Sequence, residues 1–77
     1  MVYIYHTQED KNEFSDRLVR LMKNNKETQA SLSRKIGVSD TTLFRYTHGV
    51  AYPRPYYIER LCDILKCSYH TLTGKIK

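Results

Sequence analysis

At 77 residues the chain has room for one small domain with a modest core. Thirteen Lys and Arg against eight Asp and Glu give a net charge of +5 and a pI near 9.4, a balance that suits a polyanionic partner. No secretory leader and no apolar run near ~20 residues is present, so no membrane span is expected; two cysteines without signs of export fit reduced thiols in a cytoplasm.

The first five residues, MVYIY, are β-branched and aromatic, but too short to make a sheet alone. They suit a strand that pairs with another copy or an apolar flap, both ahead of a disordered end, and residues 1–9 are read as an N-terminal extension. Two capping-box starts offer themselves, Thr7 with Asp10 and Asp10 with Glu13. A first helix then runs to about Asn24, with Phe14, Leu18, Leu21 and Met22 recurring at three and four as a buried stripe. Acids gather at its start and Arg17, Arg20 and Lys23 lie further along, as the helix dipole favours. Arg17 reads as part of a solvated face. Lys23 and Lys26 lie nearer the next segment, where a phosphate contact is open to them.

Residues 28–49, TQASLSRKIGVSDTTLFRYTHG, read as two short helices joined by a tight turn. Thr28 is the expected N-cap of the first, and Leu32 and Ile36 share one of its faces. Gly37 should stop it with a positive φ. Ser39 should cap a second helix over residues 40–47, which Gly49 ends. In that second helix Leu43, with Tyr46 or Thr47, points one way. Asp40, Thr41, Phe44, Arg45 and His48 point the other. A solvent-facing phenylalanine beside an arginine and small hydrogen-bonding side chains suits a major groove, which offers donors, acceptors and thymine methyls. The spacing is that of a helix-turn-helix with the second helix reading. Beyond Gly49, Pro53 and Pro55 forbid a continuous helix, and Pro55 fits the first turn of a new one. Tyr57 or Ile58, then Leu61, Ile64 and Leu65, give its apolar face. Ser68 caps a last short helix through Thr73, Gly74 stops it, and Lys75 and Lys77 make a basic tail. The expected fold is all-α with five helices.

Gln29, Leu32, Ser33, Gly37, Val38, Ser39, Leu43, Gly49 and Pro53, in this order and spacing, resemble the helix-turn-helix of the phage Cro/repressor-type family, also called the XRE family. The resemblance covers residues 14–74 and implies a five-helix, lambda-repressor-like DNA-binding domain over residues 10–77. Two positions depart from the pattern: Ser33, where the family often has Ala, and Thr47, where it often has Glu. The missing Glu removes an anchoring contact for the reading helix. The resemblance implies that Gln29 binds a phosphate and helps fix a side chain of the reading helix.

For base reading, Arg45 suits guanine O6 and N7, with a phosphate contact as the alternative. Thr41 suits a hydrogen bond or a methyl contact. Asp40 either accepts from cytosine N4 or sits as a dipole-favoured acid in the first helical turn. Phe44 suits thymine methyls or, alternatively, a contact between proteins. Gln29, Arg34, Lys35, His48, Tyr52 and Arg54 are phosphate-contact candidates, each with a solubilising surface role as its alternative. Cys62, Cys67 and His70 fall short of the four close ligands of a structural zinc, so buried thiols are expected and no metal or cofactor. No catalytic arrangement stands out and no small-molecule substrate is evident; an enzyme is not expected.

The partner expected is a double-stranded DNA operator, read as a palindrome by a weak homodimer. A chain that ends soon after its fifth helix leaves no separate sensing or oligomerisation domain, which points to a small Cro-like repressor of a phage or mobile element. The rival is a protein-interaction module or antitoxin-like partner protein using Phe44, Tyr52, Tyr56 and Tyr57. Two stretches are candidates for pairing: the region of Tyr69, Leu72 and Ile76, favoured by the resemblance, and residues 2–5.

Overall fold

A computed structural model describes residues 6–74. It contains α1 (Gln8–Asn24), α2 (Gln29–Ile36), α3 (Asp40–Thr47), α4 (Pro55–Leu65) and α5 (Tyr69–Thr73). Residues 2–5 and Ile76, both named above as pairing stretches, lie outside the described residues, as do Lys75 and Lys77. None of the described helices is long and apolar enough to cross a membrane.

Local chemistry sets each boundary. Thr7, not Asp10, caps α1: its hydroxyl accepts from the Asp10 N–H at 3.1 Å, and the Asp10 carboxylate accepts from the Thr7 N–H at 3.2 Å. The helix therefore opens two residues before residue 10. Thr28 and Ser31 close a second capping box on α2, and the Ser31 hydroxyl donates to Glu27 Oε1 at 2.7 Å. Gly37 stops α2 with φ +80°. Ser39 caps α3, Pro55 opens α4 and Ser68 caps α5. At the far end of α1, Asn25 Nδ2 donates to the Leu21 carbonyl at 2.9 Å and the Leu65 carbonyl at 3.1 Å, tying the ends of α1 and α4 together.

The helices pack as a closed ring: α1 touches α3 and α5, α2 touches α3 and α4, and α4 touches α5. Every helix sends apolar side chains into one core. α1 gives Phe14, Leu18 and Met22, α2 gives Leu32 and Ile36, and α3 gives Leu43 and Tyr46. α4 gives Ile58, Leu61 and Leu65, and α5 gives Leu72. The two open alternatives resolve by burial: Tyr46 rather than Thr47, and Ile58 rather than Tyr57, point inward. Leu21, expected in the buried stripe, is half-buried at its edge.

Leu72 corrects an expectation. It is 0 % exposed and packed in the core, so it cannot form a pairing surface between folded copies. Tyr69 is also half-buried against the core.

Cys62 and Cys67 belong to the cap of α4. Lys66 takes the left-handed conformation at φ +55°, and the Cys67 N–H donates to the Cys62 carbonyl at 3.0 Å. This is a Schellman ending, in which the side chains of those two positions meet as an apolar contact. Burial, then the neighbouring Cys67, pushes the Cys62 thiol up to about 12, and burial raises the Cys67 thiol as well. Because the thiolate is the nucleophile, Cys62 should alkylate far more slowly at pH 8 in the folded protein than after denaturation. Mass spectrometry after timed iodoacetamide labelling checks this; native labelling at the denatured rate would contradict the raised thiol of this half-buried pair.

Candidate nucleic-acid interface

The turn between α2 and α3 is closed by one acceptor. The Ser33 carbonyl takes the N–H of Gly37 at 3.0 Å and of Val38 at 3.1 Å. With Leu43 fully buried and Tyr46 beside it, α3 lies on α1 and α2 and turns its other face to solvent. That face carries Asp40, Thr41, Phe44, Arg45 and His48, all exposed. Phe44 is 45 % exposed, and its ring stacks on His48 with centroids 3.8 Å apart and planes 17° apart. His48 Nδ1 lies 2.9 Å from the Phe44 carbonyl and 3.0 Å from the Thr47 hydroxyl, which holds the stack against the helix.

Residues 17–74 of this helix-turn-helix chain match the model of the Cro/C1-type HTH DNA-binding domain. The chain belongs to this family. No curated protein matches the chain. As a Cro/C1-type domain it is a DNA-binding module of regulators, in a family that typically binds rather than catalyses.

In this Cro/C1-type domain α3 is held at both ends by polar contacts. At its start, Gln29 Nε2 donates to the Asp40 carbonyl at 3.4 Å, and the Ser33 hydroxyl lies 2.5 Å from Asp40 Oδ1. At its end, Gln8 Nε2 donates to the Gly49 carbonyl at 2.5 Å. Gly49 has φ +71°, a backbone conformation that favours glycine, and a Cβ there would lie 2.6 Å from Asn12 Oδ1, so the Asn12 side chain would have to turn aside. Thr47, at the position where Glu was missed, donates its hydroxyl to the Phe44 carbonyl of its own helix at 3.0 Å. The ties between α2 and α3 come instead from Gln29 and from Ser33, the other departing position.

The remaining candidates are placed unevenly. Arg34 is exposed on the last turn of α2. Arg54 is exposed, and its carbonyl accepts the first N–H groups of α4 from Tyr57 and Ile58. Lys35 is engaged within the fold: its ammonium meets Glu27 Oε2 at 2.6 Å, and its carbonyl accepts Arg60 Nη2 at 3.0 Å. The hydrogen bond from Lys35, then that from Ser31, holds the Glu27 carboxyl below the ordinary carboxylate range. Tyr52 packs inward. Its ring stacks on His6 at 3.7 Å and tilts against Phe14 at 5.0 Å, and burial raises its phenol above the ordinary value. Lys23 is exposed at the end of α1, and Lys26 follows with φ +55°. Gln8 and Asn12 were not singled out by sequence. The Gln8 hold on Gly49 spans 41 residues, and no periodic pattern signals such a contact.

Proposed function

We propose that the protein is a Cro-like repressor that binds a palindromic operator as a homodimer and blocks transcription, acting on DNA in the cytoplasm of a bacterial cell or phage-infected host. The observation that carries this reading is the outward face of α3. An aromatic ring, a guanidinium, a hydroxyl and a carboxylate stand exposed on a helix anchored at both ends. In this reading Asp40, Thr41, Phe44 and Arg45 meet base edges. Gln29, Arg34, His48 and Arg54 meet phosphates; Lys35 and Tyr52 contribute less, because their side chains are engaged within the fold. Two copies would set two α3 helices into successive major grooves about one helical turn apart.

Selection of duplexes from a random pool, followed by gel shifts at two salt concentrations, tests the proposal. A palindromic consensus with affinity that falls as salt rises is expected, because phosphate contacts release counterions. Sedimentation of the saturated complex should give two chains per site. One chain per site would remove the dimer, and salt-independent or absent DNA binding would give the exposed Phe44 and Tyr56 to a protein partner instead.

Gln29→Ala should weaken binding to cognate and scrambled duplexes alike, by about three- to tenfold, since a phosphate contact positions without specifying. Its amide reaches only the main chain of Asp40, so base preference should stay as it was. Binding isotherms on both duplexes check this; a loss confined to the cognate site would show that Gln29 takes part in reading.

A further inference from the structure

We infer that Ser33, a residue buried beneath the reading helix, determines which base Asp40 accepts. The inference rests on the proposed DNA-reading role of α3. Ser33 is 2 % exposed and lies on the side of α2 that faces α3, where it cannot reach a duplex itself. Its hydroxyl is 2.5 Å from Asp40 Oδ1 and 3.0 Å from the Ala30 carbonyl. One proton serves these two acceptors, and the carboxylate is both nearer and the stronger acceptor. Asp40 is the first residue of α3, exposed on the reading face, and its own carbonyl takes the Gln29 amide at 3.4 Å. Side chain and main chain of this residue are thus both tied back to α2.

That tie changes what the carboxylate can do in a groove. An aspartate on a helix end turns through several rotamers and averages its acceptor directions. With Oδ1 held by Ser33, the carboxylate points its remaining lone pairs one way. A carboxylate accepts and does not donate, so it matches the N4 amino group of cytosine. It is repelled by guanine N7 and O6 and by thymine O4, and adenine presents its amino group beside the N7 acceptor. Ser33 therefore fixes Asp40 as an acceptor that selects cytosine at one base pair of each half-site and rejects the others. Ser33 is a positioning residue; Asp40 makes the contact.

Selection from a random duplex pool with wild type, Ser33→Ala, Asp40→Asn and the double variant tests this, with the thermal midpoint of each protein recorded to show that it is folded. The base pair whose preference Asp40→Asn alters is the one Asp40 reads. Wild type should favour cytosine there by about tenfold over other bases. Ser33→Ala should lower that preference to about twofold at the same base pair and no other, and the double variant should match Asp40→Asn alone. A lowered midpoint by itself leaves base preference where it was, so the preference separates positioning from support of the fold. The inference is overturned if Asp40→Asn alters no position, if Ser33→Ala keeps the cytosine preference, or if the double variant loses more than Asp40→Asn. If wild type selects no sequence at all, the repressor reading falls and takes this one with it, whereas a selected operator left unchanged by Ser33→Ala sinks this inference alone.

Discussion

Leu72→Asp is expected to unfold the domain rather than to separate two copies. Leu72 is the core residue of α5, a five-residue helix that packs on α1 and α4, and it is 0 % exposed. Removing a buried leucine side chain costs about 2–5 kcal/mol. Placing an unpaired carboxylate in the same site adds several kcal/mol more. Small domains have about 5–15 kcal/mol in total, and one of this size sits toward the low end. The sum exceeds what the fold can lose, so far-UV circular dichroism should show loss of most helix at 25 °C. Leu72→Ala, which leaves only a cavity, should stay folded with a clearly lowered thermal midpoint. A Leu72→Asp protein that melts within a few degrees of wild type would show that α5 is not part of the cooperative core. Substitutions meant to test pairing must therefore be placed elsewhere, on side chains that the ring of helices leaves outside.

The misreading of Leu72 has a physical cause. A five-residue helix is too short to show a hydrophobic period, so an apolar residue near the chain's end looks as available to another copy as to its own core. Boundaries were readable because their causes are local. Thr28, Ser39 and Ser68 cap, and Gly37 and Gly74 end helices, through contacts within a few residues. The outward face of α3 was legible for the same reason, since the inward side chains Leu43 and Tyr46 fix the phase of the rest. What could not be read are polar contacts between distant elements. The Glu27 partner of Lys35 is eight residues away, the Gln8 amide on Gly49 is 41 away, and Tyr52 stacks on His6 across the fold. Ser33 shows the same limit. Its small size at a helix crossing is visible in sequence, but the direction of its hydroxyl toward Asp40 follows only once α2 and α3 are packed.

Arg45→Ala should weaken specific binding by about 1–3 kcal/mol and relax preference at one base position. The side chain is exposed on the last turn of α3, one turn beyond Thr41. Its main chain is already committed: the Arg45 carbonyl accepts the N–H of Val50 at 2.9 Å and of Ala51 at 3.2 Å, closing the end of the helix. Alanine keeps that carbonyl and favours helix, so the substitution should leave the fold intact and report on the guanidinium alone. Arg45→Lys separates the two roles open to it. A lysine keeps the charge but lacks the planar fork that pairs with guanine O6 and N7. If Arg45 reads a base, Arg45→Lys should retain non-specific affinity while losing preference at the same position as Arg45→Ala. If it only neutralises a phosphate, Arg45→Lys should bind nearly as wild type does. Arg45→Ala would then lose affinity for every duplex equally, with the salt slope shallower by about one. An unchanged selected sequence in both variants, with that uniform loss, would move Arg45 from the bases to the backbone and leave Asp40, Thr41 and Phe44 as the readers of the groove.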